Sequence, residues 1–167
     1  MTVDLPPSLI TLARSAANDG DPVAVFRAAE AASKALLGHR LFTTLFVVPG
    51  GAEVERVFSS DPAAYPLTGR KRMGPTPWGD HVLTQGRTWL GNGMGHIRWA
   101  FPDHALIESL GCAACINIPV RDGGVVVGTL NILDALDAYS AQDVAIAEVI
   151  GGFLPGALRR AAHLASA

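Results

Sequence analysis

Apolar residues near the start of the chain recur at the spacing of two amphipathic helices. The first helix is predicted over residues 7–18 and stops at the turn sequence Asn18-Asp19-Gly20. The second is predicted over residues 22–37, because Asp21 is suited to the N-cap and Pro22 to the first helical position. Each helix presents one apolar face that must be buried.

Two later stretches have the alternating pattern of β-hairpins. They are residues 41–48 with 53–59, around Pro49-Gly50-Gly51, and residues 113–121 with 125–133, around Asp122-Gly123-Gly124. The second turn is a strong signal, because Gly supplies the positive φ angles that tight hairpin turns require. Four strands are therefore predicted in two antiparallel pairs.

Helical spacing returns in the later part of the chain. Residues 102–110 predict a short helix that ends at Gly111. Ser140-Ala141-Gln142-Asp143 resembles a capping box, so a longer helix is predicted from there to residue 153, before Pro155. A last helix is predicted over residues 156–164.

The stretch between the first hairpin and residue 102 is rich in Gly and Pro. It contains Tyr65 and the tryptophans Trp78, Trp89 and Trp99, and only residues 78–85 and 87–90 have a regular pattern. A connection this long inside one compact domain is typical of a lid or a binding loop. We refer to residues 61–100 as the lid.

The order of elements predicts an α+β fold. Two hairpins make a central antiparallel sheet, the terminal helices cover one face, and the lid covers a pocket on the other face. The 167 residues suit a single domain. We predict an N-terminal helical extension over residues 1–21 and a core over residues 22–165.

Composition and charge exclude several classes of partner. The chain is 49% apolar and 17% charged, with a net charge of −2. Its basic residues are scattered apart from Arg70-Lys71-Arg72, which we interpret as a solvated loop, so nucleic acid is not expected. No signal-peptide pattern and no apolar run of about 20 residues is present. We expect a cytoplasmic protein that does not bind membranes.

The two cysteines, Cys112 and Cys115, form a C-x-x-C sequence. No second pair and no close histidine pair accompanies them, so no metal site and no cofactor is expected. If both lie in one strand, they point to opposite faces with Cα atoms about 10 Å apart, which is too far for a disulfide. Two buried, unrelated thiols are the simpler interpretation.

The second hairpin carries polar residues on one face of each strand. Cys115 and Asn117 share a face on the first strand, and Thr129 and Asn131 share a face on the second. Asn is depleted in strands, so two of them in one hairpin favour a ligand pocket with a few convergent polar groups. We predict that all four side chains point into one cavity under the lid.

The same hairpin resembles the signature that ends GAF domains. Residues 110–120 contain a Gly at position 111 and then a short strand that ends in Pro119-Val120. After the turn at Gly124, the apolar-Gly pair Val127-Gly128 begins a second strand, Thr129-Leu130-Asn131-Ile132-Leu133. The order of elements over residues 22–165 agrees. The resemblance implies a pocket on one sheet face and terminal helices that often mediate dimerisation on the other.

The resemblance also implies where a ligand would lie. In cyclic-nucleotide-binding and free-methionine-sulfoxide-reducing relatives, the pocket faces of the two strands touch the ligand. The predicted ligand-binding set is therefore Trp78, Trp89, Trp99, His104, Cys115, Asn117, Thr129 and Asn131. His96 is a weaker candidate for hydrogen bonding to a ligand. Asp103-His104 could form a catalytic dyad, but the spacing ties no Ser or Cys nucleophile to it.

This chain departs from the sulfoxide-reducing relatives at their catalytic positions. Those enzymes resemble it in the hairpin, but have acidic residues where this chain has Cys115, Asn131 and Leu133, and a nucleophilic Cys in the preceding lid. Residues 41–111 contain no Cys. A bilin chromophore would need a lid Cys too. The sequence thus disfavours both classes.

We expect a non-catalytic sensory or regulatory domain that binds a small, uncharged or weakly polar ligand, because Asn and Thr offer hydrogen bonds without charge. A homodimer through the terminal helices is also expected. Two alternatives remain open. One is a structural or dimerisation module with a vestigial pocket, and the other is a thiol-dependent redox enzyme that uses Cys112 or Cys115.

Overall fold

A six-stranded sheet lies at the centre of the computed structural model, which describes residues 4–67 and 69–165. The strands are β1 (Leu41–Val47), β2 (Glu53–Ser59), β3 (Arg70–Arg72), β4 (Trp89–Asn92), β5 (Ala114–Asp122) and β6 (Val125–Asp134). Their order is β3-β2-β1-β6-β5-β4, and each neighbouring pair is antiparallel. The two predicted hairpins therefore meet through β1 and β6.

The helices lie before, within and after the sheet in the chain. They are α1 (Pro7–Asn18), α2 (Pro22–Leu36), α3 (Pro77–Gly79), α4 (Met94–Ala100), α5 (His104–Ser109), α6 (Ala141–Gly152) and α7 (Pro155–Ala165), with a π-helical turn over Asp80–Thr84. The predicted caps are confirmed. The Asp21 side chain accepts a hydrogen bond from the Val23 backbone, and Ser140 and Asp143 form the capping box.

The main core lies between the sheet and the four helices near the ends of the chain. Side chains at alternate positions of β1, β5 and β6 point into it, because successive strand residues face opposite sides. Its fully buried members include Phe42, Ile116, Leu130 and Ile132 from the strands and Leu12, Phe26, Ile150 and Leu158 from the helices. The predicted helix-covered face is confirmed.

The opposite face is covered by the lid and by α5. Leu41, Cys115 and Leu133 of the sheet pack there against Tyr65, Ile97 and Ile107. Trp78, Val82 and Ala100 form a second, adjoining cluster within the lid. The sheet is thus buried on both sides, as the order of elements predicts.

The lid is more regular than its sequence indicates. The basic segment Arg70–Arg72, interpreted above as a solvated loop, is the edge strand β3, which pairs with Glu53–Glu55 of β2. Its three side chains are exposed, and a charged edge of this kind resists pairing with other chains. The sequence pattern also does not predict helix α4, because its seven residues give only two buried positions, Ile97 and Ala100.

No single helix among the described residues is long and apolar enough to cross a membrane. Helices α6 and α7 taken together have the length and apolar composition of a membrane span, but the pair is bent by 53° at the break between the two helices.

Candidate ligand pocket

Two asparagines face each other across β5 and β6 on the lid side of the sheet. Asn117 Nδ2 donates a hydrogen bond to Asn131 Oδ1 at 2.9 Å. Asn131 Nδ2 donates to Thr129 Oγ1 at 3.1 Å and to Thr43 Oγ1, on β1, at 3.3 Å. All four side chains are buried. The prediction that these side chains share one face of the sheet is therefore correct, and the two amides form a hydrogen-bonded pair inside the domain.

The lid closes this network through Trp78. Its indole Nε1 donates to Asn117 Oδ1 at 3.1 Å, and the side chain is only 2% exposed. Thr76 positions the indole by capping α3, since its hydroxyl accepts a hydrogen bond from the Gly79 backbone. The Trp78 ring packs beside Phe101 with centroids 6.1 Å apart. Trp78, one of the predicted ligand-binding residues, thus covers the asparagine pair from the lid side.

A cavity of about 80 Å³ lies between the sheet and the lid, beside the asparagine pair. Its lining residues are Leu41, Thr43, Leu45, Arg56, Tyr65, Met73, Trp78, Ala100, Phe101, Pro102, Asp103, Ile107, Asn131 and Leu133. A water molecule takes up about 30 Å³ of liquid, so this space suits an occupant of roughly three to five non-hydrogen atoms. It is smaller than the roughly 300–1,000 Å³ of a pocket for drug-sized ligands.

One corner of the cavity is charged. The Tyr65 hydroxyl donates to Asp103 Oδ2 at 2.6 Å, and the Arg56 guanidinium lies 4.8 Å from the centre of the Tyr65 ring. Arg56 Nη1 donates to the Pro66 carbonyl at 2.9 Å. Arg56 Nε is buried and has no hydrogen-bond partner among the described residues. The cavity therefore contains both a cation and a carboxylate.

Burial shifts the pKa values of Arg56 and Tyr65 at this charged corner. It lowers the pKa of Arg56, although Tyr65 and Asp103 oppose the shift. It raises the pKa of Tyr65, and the hydrogen bond to Asp103 adds to that effect. A phenol with a raised pKa and a guanidinium keep their protons at neutral pH. Tyr65 thus acts as a hydrogen-bond donor and Arg56 as a cation.

The expectation that four strand residues all line the cavity is wrong for three of them. Among Cys115, Asn117, Thr129 and Asn131, only Asn131 lines it. Asn117 and Thr129 are engaged in the hydrogen-bond network that holds Asn131. Cys115 packs in the apolar cluster with Leu41 and Leu133. The residues do share one face, but the lid covers that face closely, and the cavity lies over β1, β2 and β6.

The other predicted site residues lie outside the cavity. Trp89 packs against Trp99 with ring centroids 4.4 Å apart, and His81 and His96 each make a T-shaped contact with Trp89. Trp99 is 43% exposed. His104 begins α5, and its Nδ1 is buried without a hydrogen-bond partner among the described residues. None of Trp89, Trp99 and His104 lines the cavity. Trp89 and Trp99 instead pack against each other within the lid.

Both thiols are buried and free, and they do not lie in one strand. Cys112 precedes β5, and the two cysteines belong to the same apolar cluster. Burial raises the pKa of Cys112 to about 11 and that of Cys115 to about 12. Both are therefore protonated at neutral pH, which makes them poor nucleophiles.

Sequence reasoning missed the charged residues Arg56 and Asp103. A β-bulge in β2 explains the first omission, because the pairing shifts between Thr44↔Phe58 and Leu45↔Arg56. Strict alternation would put residues 56 and 58 on the same face. With the bulge, Phe58 enters the helix-side core and Arg56 reaches the cavity. No local signal marks such a bulge.

Several surface grooves of the described residues exceed this cavity in volume, and two of them lie at the turn end of the hairpins. The first has a volume of about 590 Å³ and includes the turn residues Gly50 and Gly51. The second has a volume of about 460 Å³ and includes Gly51. The arginines of the larger groove already have partners, since Arg121 donates to the Gly86 carbonyl and Arg159 to Asp122. The cavity under the lid is therefore the better candidate for a ligand site.

A family model described as "GAF domain" matches residues 19–158. The chain belongs to the GAF domain family. The match leaves out α1, so the boundary that we predict at residue 22 stays a prediction. No curated protein sequence matches this GAF domain.

Solved structures share the fold over nearly the whole chain. The GAF domain of a phosphoenolpyruvate-protein phosphotransferase from Coxiella burnetii has a TM-score of 0.72 at 12% identity, with 96% of this chain and 95% of that chain covered. The GAF domain of the Acinetobacter phosphoenolpyruvate-protein phosphotransferase has a TM-score of 0.73 at 12% identity, over 94% and 93%.

A free methionine-R-sulfoxide reductase from Neisseria meningitidis, solved in complex with its substrate, is similar as well. Its TM-score is 0.69 at 18% identity, and the match covers 98% of this chain and 97% of that chain. Identities this low show the fold alone. The antiparallel α+β architecture predicted from the sequence is confirmed as a GAF fold.

Proposed function

We propose that this GAF domain is a non-catalytic sensory domain that binds a very small molecule in the cavity under the lid. The observation that carries the proposal is that the cavity is bounded by both layers. Thr43 and Asn131 line it from the sheet, and Trp78 and Ala100 line it from the lid. An occupant would touch both layers at once, so binding would alter how tightly the lid is held.

The sheet offers a route from the cavity to the helices. Asn131 lies between Leu130 and Ile132, whose side chains are fully buried against the helix layer. A shift of β6 caused by an occupant would therefore also displace side chains that pack against the helices on the opposite face. GAF domains occur in signalling proteins, for example in a two-component sensor histidine kinase from Bacillus halodurans, whose GAF domain this chain resembles with a TM-score of 0.66. This agrees with a regulatory role.

Two observations support a non-catalytic role. The raised pKa values of Cys112 and Cys115 argue against thiol redox chemistry. Ser33, His39 and Glu30 do form a relay, with Ser33 Oγ 3.1 Å from His39 Nδ1 and Glu30 Oε1 3.6 Å from His39 Nε2. Ser33 is 0% exposed, however, so no substrate can reach its hydroxyl. We interpret this relay as structural.

A module with a vestigial pocket is the second candidate. It is favoured by the Trp78–Asn117 hydrogen bond, because here the lid itself satisfies a polar group that a ligand could otherwise bind. The two candidates differ in whether the remaining space is used. A redox enzyme of the methionine sulfoxide reductase type is less well supported, for the reasons given above.

We also propose that the domain is cytoplasmic and forms a homodimer through its terminal helices. Free thiols at Cys112 and Cys115 suit a reducing compartment. Val149 on α6 is 50% exposed, and Leu164 on α7 is 65% exposed. Leu154, an apolar residue that follows α6, is fully buried in the core and cannot contribute to such an interface.

The experiment that tests ligand binding follows the Trp78 indole N–H by NMR. Its resonance is assigned from Trp78→Phe, and a panel of compounds with up to about six non-hydrogen atoms is added. We expect at least one compound to shift this resonance in a saturable manner. Ala100→Leu adds three carbons to the cavity wall and should abolish the shift. If no compound shifts the resonance, or if Ala100→Leu binds equally well, the pocket is vestigial.

A further inference from the structure

The two charged residues of the cavity lie close together but do not form an ion pair. No carboxylate of the described residues lies within ion-pair distance of the Arg56 guanidinium. Asp103 nevertheless acts electrostatically on Arg56, and both line the same cavity. A cation and an anion that share a cavity without contact can each bind one end of a ligand.

Both groups have hydrogen-bonding capacity that the protein leaves unused. Within the described residues the guanidinium makes one hydrogen bond, from Nη1 to Pro66, out of its five N–H donors. The Asp103 carboxylate accepts from Tyr65 at Oδ2, and no described side chain donates to Oδ1. Thr43 Oγ1 accepts from Asn131, so its own proton remains free to donate.

We propose that the ligand is a small zwitterion, of the size of the simplest amino acids, with its carboxylate on Arg56 and its ammonium on Asp103. This inference rests on the proposed function, since it requires the cavity to be a ligand site. It revises the expectation of an uncharged ligand, which rests on Asn117, Thr129 and Asn131 alone. Charge balance is the reason, because a lone anion would meet Asp103 and a lone cation would meet Arg56.

The size of the cavity limits the class further. Glycine has five non-hydrogen atoms, which is at the upper end of what about 80 Å³ admits. Beyond the charged corner, the walls include the bulky side chains of Trp78 and Ile107, each at most 2% exposed, besides the polar Thr43 and Asn131. Large side chains such as that of leucine therefore have no space, and we expect selection for the smallest members of the class.

Four probes separate the contributions of charge in the unmodified protein. Glycine carries both charges, acetate only the negative one, methylammonium only the positive one, and acetamide neither. Each is titrated while the Trp78 indole resonance is followed, and leucine serves as a probe of size. We expect glycine to bind at least tenfold more tightly than the other three small probes, and leucine to give no shift.

Variants then assign the two charges. Arg56→Met and Asp103→Asn should each weaken glycine binding by at least tenfold. Arg98→Met and Glu108→Gln are matched controls, because Arg98 in α4 and Glu108 in α5 are both exposed and do not line the cavity. They should change the affinity by less than twofold. Because the four probes act on the unmodified protein, the test holds even if a variant fails to fold.

Three outcomes would overturn the inference in different ways. If acetate or acetamide binds as tightly as glycine, the ligand is not a zwitterion, but the cavity remains a ligand site. If glycine fails to bind while other compounds of the panel shift Trp78, the inference is wrong and the proposed function stands. If no compound of either set shifts Trp78, both are wrong.

Discussion

Trp78 of the lid and Asn117 of the sheet are joined by a hydrogen bond in which neither partner reaches solvent. The indole Nε1 lies 3.1 Å from Asn117 Oδ1, and the two side chains are 2% and 0% exposed. A buried amide oxygen that loses its donor keeps the full cost of desolvation. This bond therefore fixes where the lid sits on the sheet, and with it the cavity.

Removing the indole donor should destabilise the domain. Trp78→Phe keeps an aromatic ring but leaves Asn117 Oδ1 without its donor, so we expect a loss of about 2–4 kcal/mol, from the unsatisfied oxygen together with the smaller ring. Urea denaturation measures it. Trp99→Phe is the control, because Trp99 is 43% exposed, and it should cost under about 1 kcal/mol. Equal losses would show that the hydrogen bond contributes nothing.

The Gly of the apolar-Gly pair is required by close packing. A Cβ on Gly128 would lie 2.3 Å from the Leu45 carbonyl oxygen and 2.8 Å from Leu158 Cδ1. Gly128→Ala should therefore separate β1 from β6 and cost about 1–3 kcal/mol or more. Thermal or urea unfolding measures the change.

Gly95 provides the opposite case. It lies in α4, and a methyl group at this position would have no atom of the described residues within 4 Å beyond its own helix and chain neighbours. Gly95→Ala should stabilise the domain by up to about 1 kcal/mol, because Ala favours helix. If Gly128→Ala and Gly95→Ala change the free energy of unfolding in the same direction, the close contact at Gly128 is not the cause of the effect there.

His39 should make the stability depend on pH. It is 4% exposed, and burial followed by the charge of Lys34 lowers its pKa below 6.5, although Glu30 opposes the shift. Below pH 6.5 the unfolded chain binds more protons than the folded one, so the free energy of unfolding should fall as the pH decreases.

Urea titrations at about pH 7.5 and about pH 5.5 would measure this effect. His39→Gln should remove part of the pH dependence, whereas His163→Gln, at an exposed position of α7, should leave it intact. A difference between the two pH values that is unchanged in His39→Gln would refute the assignment to His39.

The thiols should be unreactive in the folded protein. With pKa values of about 11 and 12 and full burial, Cys112 and Cys115 should react with iodoacetamide at least about 100-fold more slowly than in urea. For the same reason we expect no reduction of free methionine sulfoxide. Turnover that needs a thiol reductant and disappears in Cys115→Ser would contradict the non-catalytic proposal.

The proposed dimer depends on the exposed face of α6. Val149→Asp should give monomers in sedimentation at tens of micromolar, because it places a charge in the interface. Val125→Asp is the control, since Val125 is 64% exposed at the distant hairpin turn and should leave the dimer intact. If the unmodified protein is already a monomer, the terminal helices do not mediate self-association.

Local patterns in the sequence determined the terminal helices, the two hairpins and the faces of their strands. Alternation with period two placed Asn117 and Asn131 on one side and Ile116 and Leu130 on the other, because the geometry of a strand leaves no other choice. Caps and turn glycines acted through their immediate neighbours in the same way. These features require only short-range information, so they could be predicted.

The tertiary structure alone decided the size and the charge of the cavity. Arg56 reaches it through a bulge set by the pairing of β1 with β2, and Asp103 and Trp78 arrive from separate parts of the chain. Each of these placements depends on how distant segments pack, and a shift of one residue reverses the direction of a strand side chain. The hydrophobic pattern of a single strand therefore cannot predict that packing.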